Sequence, residues 1–363
     1  MTLLKLLSAI SMVIMIASCD ATIHQYPDIR KELVILQLNV SRKPPRSYKQ
    51  VVYDTDWKPT IIELEGSADT YQWPSDFALR ITVEVYRDIN DVTRANGMED
   101  EKPIERRVVW VDACMDEPQD TVHLYLPDGR YRAISFADYV PLSNLNDWHY
   151  NTQKLTNITT DLTTYPRNPN LRSSAAGQVS FVMTHQLTEG GYPATADAPD
   201  VPELSRIIPI RLTRPSGRFR LIATDSRLSP MPMRNTSIKL IYKDFVTTGY
   251  NVLTGEPNNY ISSYGFITQP PLGEVNASTD QTLLVEDYLF TGYNRENIFH
   301  AVMIITDVYG HPINTTPNIE FPLVRDGETV IYAPFFSVSR DSPSGGAGFD
   351  IDENFEGEFI VTI

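Results

Sequence analysis

Apolar residues recur at every second position through much of this chain, the period of strands with one buried face. Residues 77–87, FALRITVEVYR, show it most plainly: Phe77, Leu79, Ile81, Val83 and Val85 share one face. Residues 32–41, ELVILQLNVS, alternate less regularly, with Leu33, Ile35 and later Val40 among polar positions, as in a half-buried strand. The same pattern predicts strands in RRVVWVDA (106–113), DTVHLYLPDGRYRAISFADYV (120–140) and GQVSFVMTHQ (177–186). A second strand-rich block runs through SRIIPIRLTRPSGRFRLIATD, TSIKLIYKDF, QTLLVEDYLF, NIFHAVMIITDVYG, NIEFPLV, TVIYAPFFSV and GEFIVTI. Long amphipathic helix patterns are lacking. Many aromatic and β-branched residues, interrupted by 26 prolines, suit short strands separated by turns. The expected fold class is all-β, built of antiparallel sandwiches.

The interruptions set the expected organisation. Residues 42–75 read as irregular, with Pro44-Pro45 and Trp73-Pro74. Residues 141–176 are rich in Asn, Thr, Ser and Pro and read as a surface excursion. Residues 188–204, TEGGYPATADAPDVPEL, have no apolar period and mark the domain boundary. Two tandem domains follow, over residues 32–190 and 200–363. One echo links them. LPDGRYRAISFAD (126–138) and TRPSGRFRLIATD (213–225) share Pro-x-Gly-Arg-aromatic-Arg before an apolar strand that ends in Asp. Related sandwiches and a repeated turn chemistry both explain it.

The N-terminus changes the picture. Lys5 precedes an apolar run from Leu6 to Ala17, too short for a bilayer-spanning helix of about 20 residues and suited to a secretory signal over residues 1–18. Ile16, Ala17 and Ser18 stand before Cys19. That order resembles a bacterial lipobox, in which the cysteine sulfur receives a diacylglyceryl group and becomes the mature N-terminus. A multiply acylated Cys19 would hold the chain at a membrane. Residues 19–31 then form a tether. The other cysteine, Cys114, has no second internal partner for a disulfide and reads as a small buried hydrophobe.

Charge and motifs narrow the function. The formal net charge is -15, which disfavours phosphate backbones and so nucleic-acid binding. There is no Gly-x-Ser-x-Gly elbow, phosphate loop, His-Glu-x-x-His or Cys-x-x-Cys. The six histidines are scattered, and His123 and His300 sit in strand patterns as ordinary sheet histidines. DIDENFEGE (350–358) offers Asp350, Asp352 and Asn354 in calcium-loop order, but Phe355 stands where Gly is needed and Val361 where Glu is needed. No metal and no cofactor are expected. Trp57, Trp73, Trp110 and Trp148 read as core or turn packing, with stacking on sugar rings as the other reading.

Four stretches carry a family resemblance: SCDATIHQYPD, LPDGRYRAISFADYV with DWHYNTQKLTNI, PIRLTRPSGRFRLIATD, and NIEFPLVRDGETVIYAPFFSV with the terminal GFDIDENFEGEFIVTI. Together they span residues 18–363. The chain resembles the fimbrillin-like lipoproteins of Bacteroidales, the group containing the anchor and accessory (minor) subunits of type V pili. The resemblance implies two transthyretin-like β-sandwich domains, no enzymatic activity, and assembly by strand exchange with other fimbrial subunits. Stalk subunits of that family are trimmed by an arginine-directed protease. Arg30 and Arg42 lie near that region, as processing sites or as ordinary surface arginines. In the terminal GEFIVTI, Phe359, Val361 and Ile363 share one face. The strand closes its own domain or is donated to a neighbour; with no long spacer before it, its own sheet is expected.

The expected role is a non-enzymatic lipoprotein of the cell outer membrane, an anchor or accessory subunit of a fimbria that supports adhesion. The alternative is a stand-alone surface lipoprotein that binds glycans or host proteins, favoured if the 141–176 excursion exposes its aromatics. A membrane-associated hydrolase would need two facing carboxylates in a cleft.

Overall fold

The computed structural model of the chain describes residues 31–41, 43–68, 76–87, 102–112, 119–162, 169–183, 207–229, 235–270, 275–276, 280–293 and 295–337. Among them are strands, short 3-10 turns at Pro169–Arg172 and Ser226–Leu228, and no α-helix. The all-β class read from the period-2 pattern is the class observed.

The first sandwich has a three-stranded layer ordered β11 (Ile207–Leu212), β1 (Glu32–Val40), β6 (Gln119–Leu126). Its facing layer is ordered β10 (Ser174–Met183), β7 (Gly129–Pro141), β4 (Phe77–Arg87), β5 (Glu105–Asp112). Leu79, Ile81, Val83 and Val85 of β4 enter the core between the layers, and Phe77 packs against it, as the alternation predicts. In β1 the inward set is instead Val34, Leu36, Leu38 and Val40, all buried, while Leu33 and Ile35 are half-buried on the other face. The first half of β1 is apolar on both sides, so it carries no phase. Gln37 and Asn39 in the second half do carry it, and the pairs Leu36 with Val122 and Val34 with Leu124 fix it.

The second sandwich has a six-stranded layer ordered β17 (Val275–Asn276), β18 (Gln281–Phe290), β12 (Ser216–Ala223), β22 (Gly327–Ala333), β2 (Arg46–Tyr53), β3 (Pro59–Glu63). It faces β16 (Gly265–Thr268), β13 (Thr236–Tyr242), β19 (Asn297–Asp307) and β20 (Pro312–Thr315), with β21 (Ile319–Leu323) also paired to β19. Phe219, Leu221, Leu240, Met303, Phe321, Ile331 and Phe335 fill its core. Each such side chain contributes about 1.5–3 kcal/mol on burial. The Phe219 and Phe321 rings lie 4.6 Å apart between centroids.

Three findings differ from the sequence reading. First, residues 42–75 are not simply irregular: they hold β2 and β3, and β2 runs parallel to β22, with Val51 opposite Ile331. Second, strand pairing crosses the division expected at 188–204. β2, from the N-terminal block, joins the second sandwich, and β11, from the C-terminal block, pairs in parallel with β1 of the first. Parallel neighbours need long connections; β1 ends at Val40 and β11 starts at Ile207, and β2 ends at Tyr53 and β22 starts at Gly327, which is why no local pattern announces them. Third, the 141–176 segment is only partly a surface excursion: residues 142–148 are exposed, whereas Tyr150, Leu155, Ile158 and residues 172–176 are buried. It forms β8 (Tyr150–Asn151) and β9 (Ile158–Thr160), which continue into β14 (Val246–Asn251) and β15 (Glu256–Ile261) of the second half in one four-stranded sheet. Tyr150, Leu155 and Ile158 are buried with Tyr250, Val252 and Phe290 in a core of their own between the sandwiches.

The echo resolves into two different local structures. Tyr131 of β7 and Phe219 of β12 are both fully buried, each in a different core. Gly129 opens β7 at φ 155. Gly217 lies in the extended part of β12, where a Cβ would sit 2.8 Å from the Val324 carbonyl oxygen.

Candidate functional site

The chemistry of this chain is concentrated at the junction of its halves. On β4 the face away from the first core carries Ala78, Arg80, Thr82, Glu84 and Tyr86, all buried. The 141–162 segment covers them, and their polar groups are answered there. Arg80 Nε and Nη2 donate to the two Asp138 carboxylate oxygens at 2.9 and 2.7 Å, and Nη2 also to the Tyr150 carbonyl at 2.8 Å. Glu84 Oε2 accepts from the Tyr86 hydroxyl at 2.7 Å and the Leu155 amide at 3.1 Å. Arg106 Nη2 donates to the Thr152 carbonyl at 2.9 Å. Burial raises the Asp138 carboxyl to about 6 against the pull of Arg80, so it is ionised at neutral pH.

Deeper in the junction the Tyr150 hydroxyl donates to the Arg172 carbonyl at 2.6 Å. Arg172, on the 3-10 turn, reaches Asp287 of β18 with an N–O distance of 2.7 Å. The Tyr242 hydroxyl donates to the same carboxylate at 2.7 Å. Burial raises the Asp287 carboxyl, opposed by Arg172 and Tyr242. His149 beside them is buried, and burial followed by the Arg172 charge holds its pKa well below 6.5, so it is neutral. Such buried ion pairs are costly to break from one side, and they tie β4, β7, the 141–172 segment and the second sandwich into one body. Sequence reading missed this network: its only trace was the polar set Arg80, Thr82 and Glu84 alternating on β4, which looks the same as a solvated face.

Two outermost strands expose apolar side chains among the described residues. β3 ends the six-stranded layer, and among the described residues it pairs only with β2. Ile61 stands opposite Val51, on the core side, yet is 51% exposed, and Ile62 on the other side is 45% exposed. Among the described residues β5 ends the four-stranded layer, and it exposes Val108 and Trp110.

Several sequence expectations lie outside the described residues: Ile16, Ala17, Ser18, Cys19, Arg30, Arg42, Cys114, Trp73, the acidic 350–358 stretch, and Phe359, Val361 and Ile363. Among the described residues no three His, Cys, Asp or Glu side chains are grouped to hold a metal. His123 is exposed on β6. His300 is more than an ordinary sheet histidine. Its Nδ1 is bonded to Asp244 and its Nε2 lies 3.3 Å from Glu320. Burial alone would lower its pKa, but these two carboxylates outweigh it and raise it. Trp57 packs against Tyr53 and Phe335, in keeping with turn packing. Trp110 and Trp148 are 43% and 37% exposed, so the packing reading does not cover them.

Fold and site together define an all-β protein of two sandwiches whose halves are joined by the buried Arg172–Asp287 pair and whose outermost strands, among the described residues, expose apolar side chains. The chain belongs to the DUF6562 family, a family of unknown function, whose model matches residues 40–363. No curated protein is detectably similar in sequence. Solved structures similar to the chain come from Bacteroidales. A candidate adhesin from Bacteroides ovatus is 13% identical, over 79% of this chain and 77% of that one, at a TM-score of 0.39. A fimbrial assembly protein from Parabacteroides distasonis is 10% identical over 83% and 90%, at 0.38. The fimbrial anchor protein Mfa2 from Porphyromonas gingivalis is 15% identical over 78% and 82%, at 0.32.

Proposed function

We propose that this chain is a non-enzymatic lipoprotein of the outer-membrane surface, held through Cys19, that serves as an anchor or accessory subunit of a fimbria and supports adhesion. The lipobox-like Ile16-Ala17-Ser18-Cys19 supports the attachment. The observation that carries the docking role is β3, an edge strand whose core-side Ile61 is half exposed. An added strand would extend the six-stranded layer by backbone hydrogen bonds and cover Ile61. The latched junction supports the anchor role, since a body that transmits tension needs its two halves joined. Arg30 and Arg42 are ordinary surface arginines in this reading, because cleavage at either would part the body from its lipid. Phe359, Val361 and Ile363 complete the chain's own fold, as expected of a base or accessory position.

The test is on native cells. Filaments are sheared off, and the filament and envelope fractions are probed for the chain in wild type and in Cys19→Ala. Wild type should remain in the envelope and hold filaments, and the variant should release them. Filaments unaffected by Cys19→Ala would overturn the anchor role.

A further inference from the structure

Among the described residues β5 is the last strand of the four-stranded layer, and two tryptophans lie beside one arginine there. Arg80 of β4 stands directly opposite Trp110 of β5, on the same face of the sheet. The Arg80 guanidinium carbon also lies 5.7 Å from the centre of the Trp148 ring, within range of a cation–π contact. Val108, two residues before Trp110 and on the same face, is 41% exposed. These groups are held in place. Arg80 is fixed by its two bonds to Asp138 and one to Tyr150, and Trp110 is fixed by its strand. Trp148 precedes His149 and Tyr150, both buried. Arg80 Nη1 makes no hydrogen bond among the described residues.

Two features identify the ligand. The first is charge. Arg80 is neutralised by Asp138, and Arg106, the next basic group on this face of β5, lies 3.4 Å from Glu84, while Arg107 pairs with Glu105. The surface therefore offers part-exposed indoles backed by a largely buried Arg80, with the exposed Asp147 next to Trp148; the paired cations and the acidic neighbour disfavour an anion and suit a neutral ligand with C–H faces and hydroxyl oxygens. The second is area. Two indoles exposed by about two-fifths, with one valine, present roughly 300 Å², against the roughly 800 Å² per partner of a stable protein interface. That footprint fits two or three sugar rings.

We propose that Trp110, Arg80 and Trp148 form a binding site for a neutral oligosaccharide. Each indole receives the C–H face of a pyranose ring, and Arg80 Nη1 donates to a hydroxyl or ring oxygen between them. The site is independent of whether the chain is part of a fimbria.

The test is a titration of the full chain followed by tryptophan fluorescence and calorimetry. The probes are tetrasaccharides of β-1,4-linked glucose, mannose and xylose, with sialyllactose as the charged control. At least one neutral tetrasaccharide should bind and shift the fluorescence, and sialyllactose should not. Trp110→Ala and Trp148→Ala should each weaken binding about tenfold, and Trp110→Phe should retain most of it. Melting curves separate lost binding from lost folding. The proposal falls if no neutral tetrasaccharide binds wild type, or if binding survives both alanine changes. It falls equally if Trp110→Ala removes the chain from sheared filaments while no sugar binds, because the shelf is then a protein contact. The Cys19→Ala shearing result is unaffected by any of these outcomes.

Discussion

Arg172 and Asp287 are 115 residues apart and form an ion pair at 2.7 Å in which both side chains are almost fully buried. Arg172 belongs to the 3-10 turn that leads into β10 of the first sandwich, and Asp287 to β18 of the second. Removing either partner leaves the other charge buried and unanswered, which costs about 3–5 kcal/mol. Arg172→Ala and Asp287→Ala should each lower the urea midpoint accordingly. The double variant Arg172→Met with Asp287→Leu should lose less than the sum of its single changes. A loss below about 1 kcal/mol in both single variants would show that the pair does not hold the halves together.

His149 predicts an acid-sensitive junction. Its folded pKa is depressed and its unfolded pKa is near 6.5. The stability tied to its neutral form is therefore complete above about pH 6.5 and declines as the pH falls toward the folded value, by up to about 1.4 kcal/mol per pH unit. Asp138 and Asp287 have raised folded values and act in the opposite sense. The informative quantity is the difference between wild type and His149→Leu, from unfolding curves between about pH 7 and 5. Wild type should lose more stability than the variant over that interval. Parallel losses would show that the imidazole is not the group that titrates.

Gly177 of β10 lies against the backbone of β11, where the two layers of the first sandwich meet. A Cβ there would lie 2.3 Å from the Arg211 carbonyl oxygen and 3.3 Å from the Leu212 Cα, both backbone atoms of β11. Ala176 next to it bridges to Thr213. Gly177→Ala must push β10 away from β11, and overpacking of this kind costs about 1–3 kcal/mol. A thermal melt unchanged from wild type would mean that the layers separate freely at this corner.

Ile61 separates docking from folding. It is 51% exposed, so Ile61→Lys should change stability by no more than about 0.5 kcal/mol. Under the docking role it should reduce the amount of this chain that co-purifies with filaments. Unchanged co-purification would direct attention to another edge.

The sequence showed the architecture wherever one face of a strand is apolar and the other polar. FALRITVEVYR gave β4 with its inward face correct, and the later apolar runs gave β12, β13, β18, β19 and β22. It could not show β2, whose residues RSYKQVVY mix both characters because the strand lies among others and is only half covered. Nor could it show that Arg80 and Glu84 face a second buried layer, because an alternating polar position looks the same whether water or Thr152 and Leu155 lie opposite.

What the sequence by itself determined is therefore local: the strand period, the all-β class, the acidic and motif-poor composition, and a lipobox-like pattern before Cys19. Only the tertiary structure decided which sheet each strand joins, that Tyr150, Leu155 and Ile158 are buried at the junction, and that Arg80 lies beside both Trp110 and Trp148. The physical reason is that the parallel pairings and the Arg172–Asp287 ion pair depend on residues more than a hundred positions apart. No local period encodes such partners.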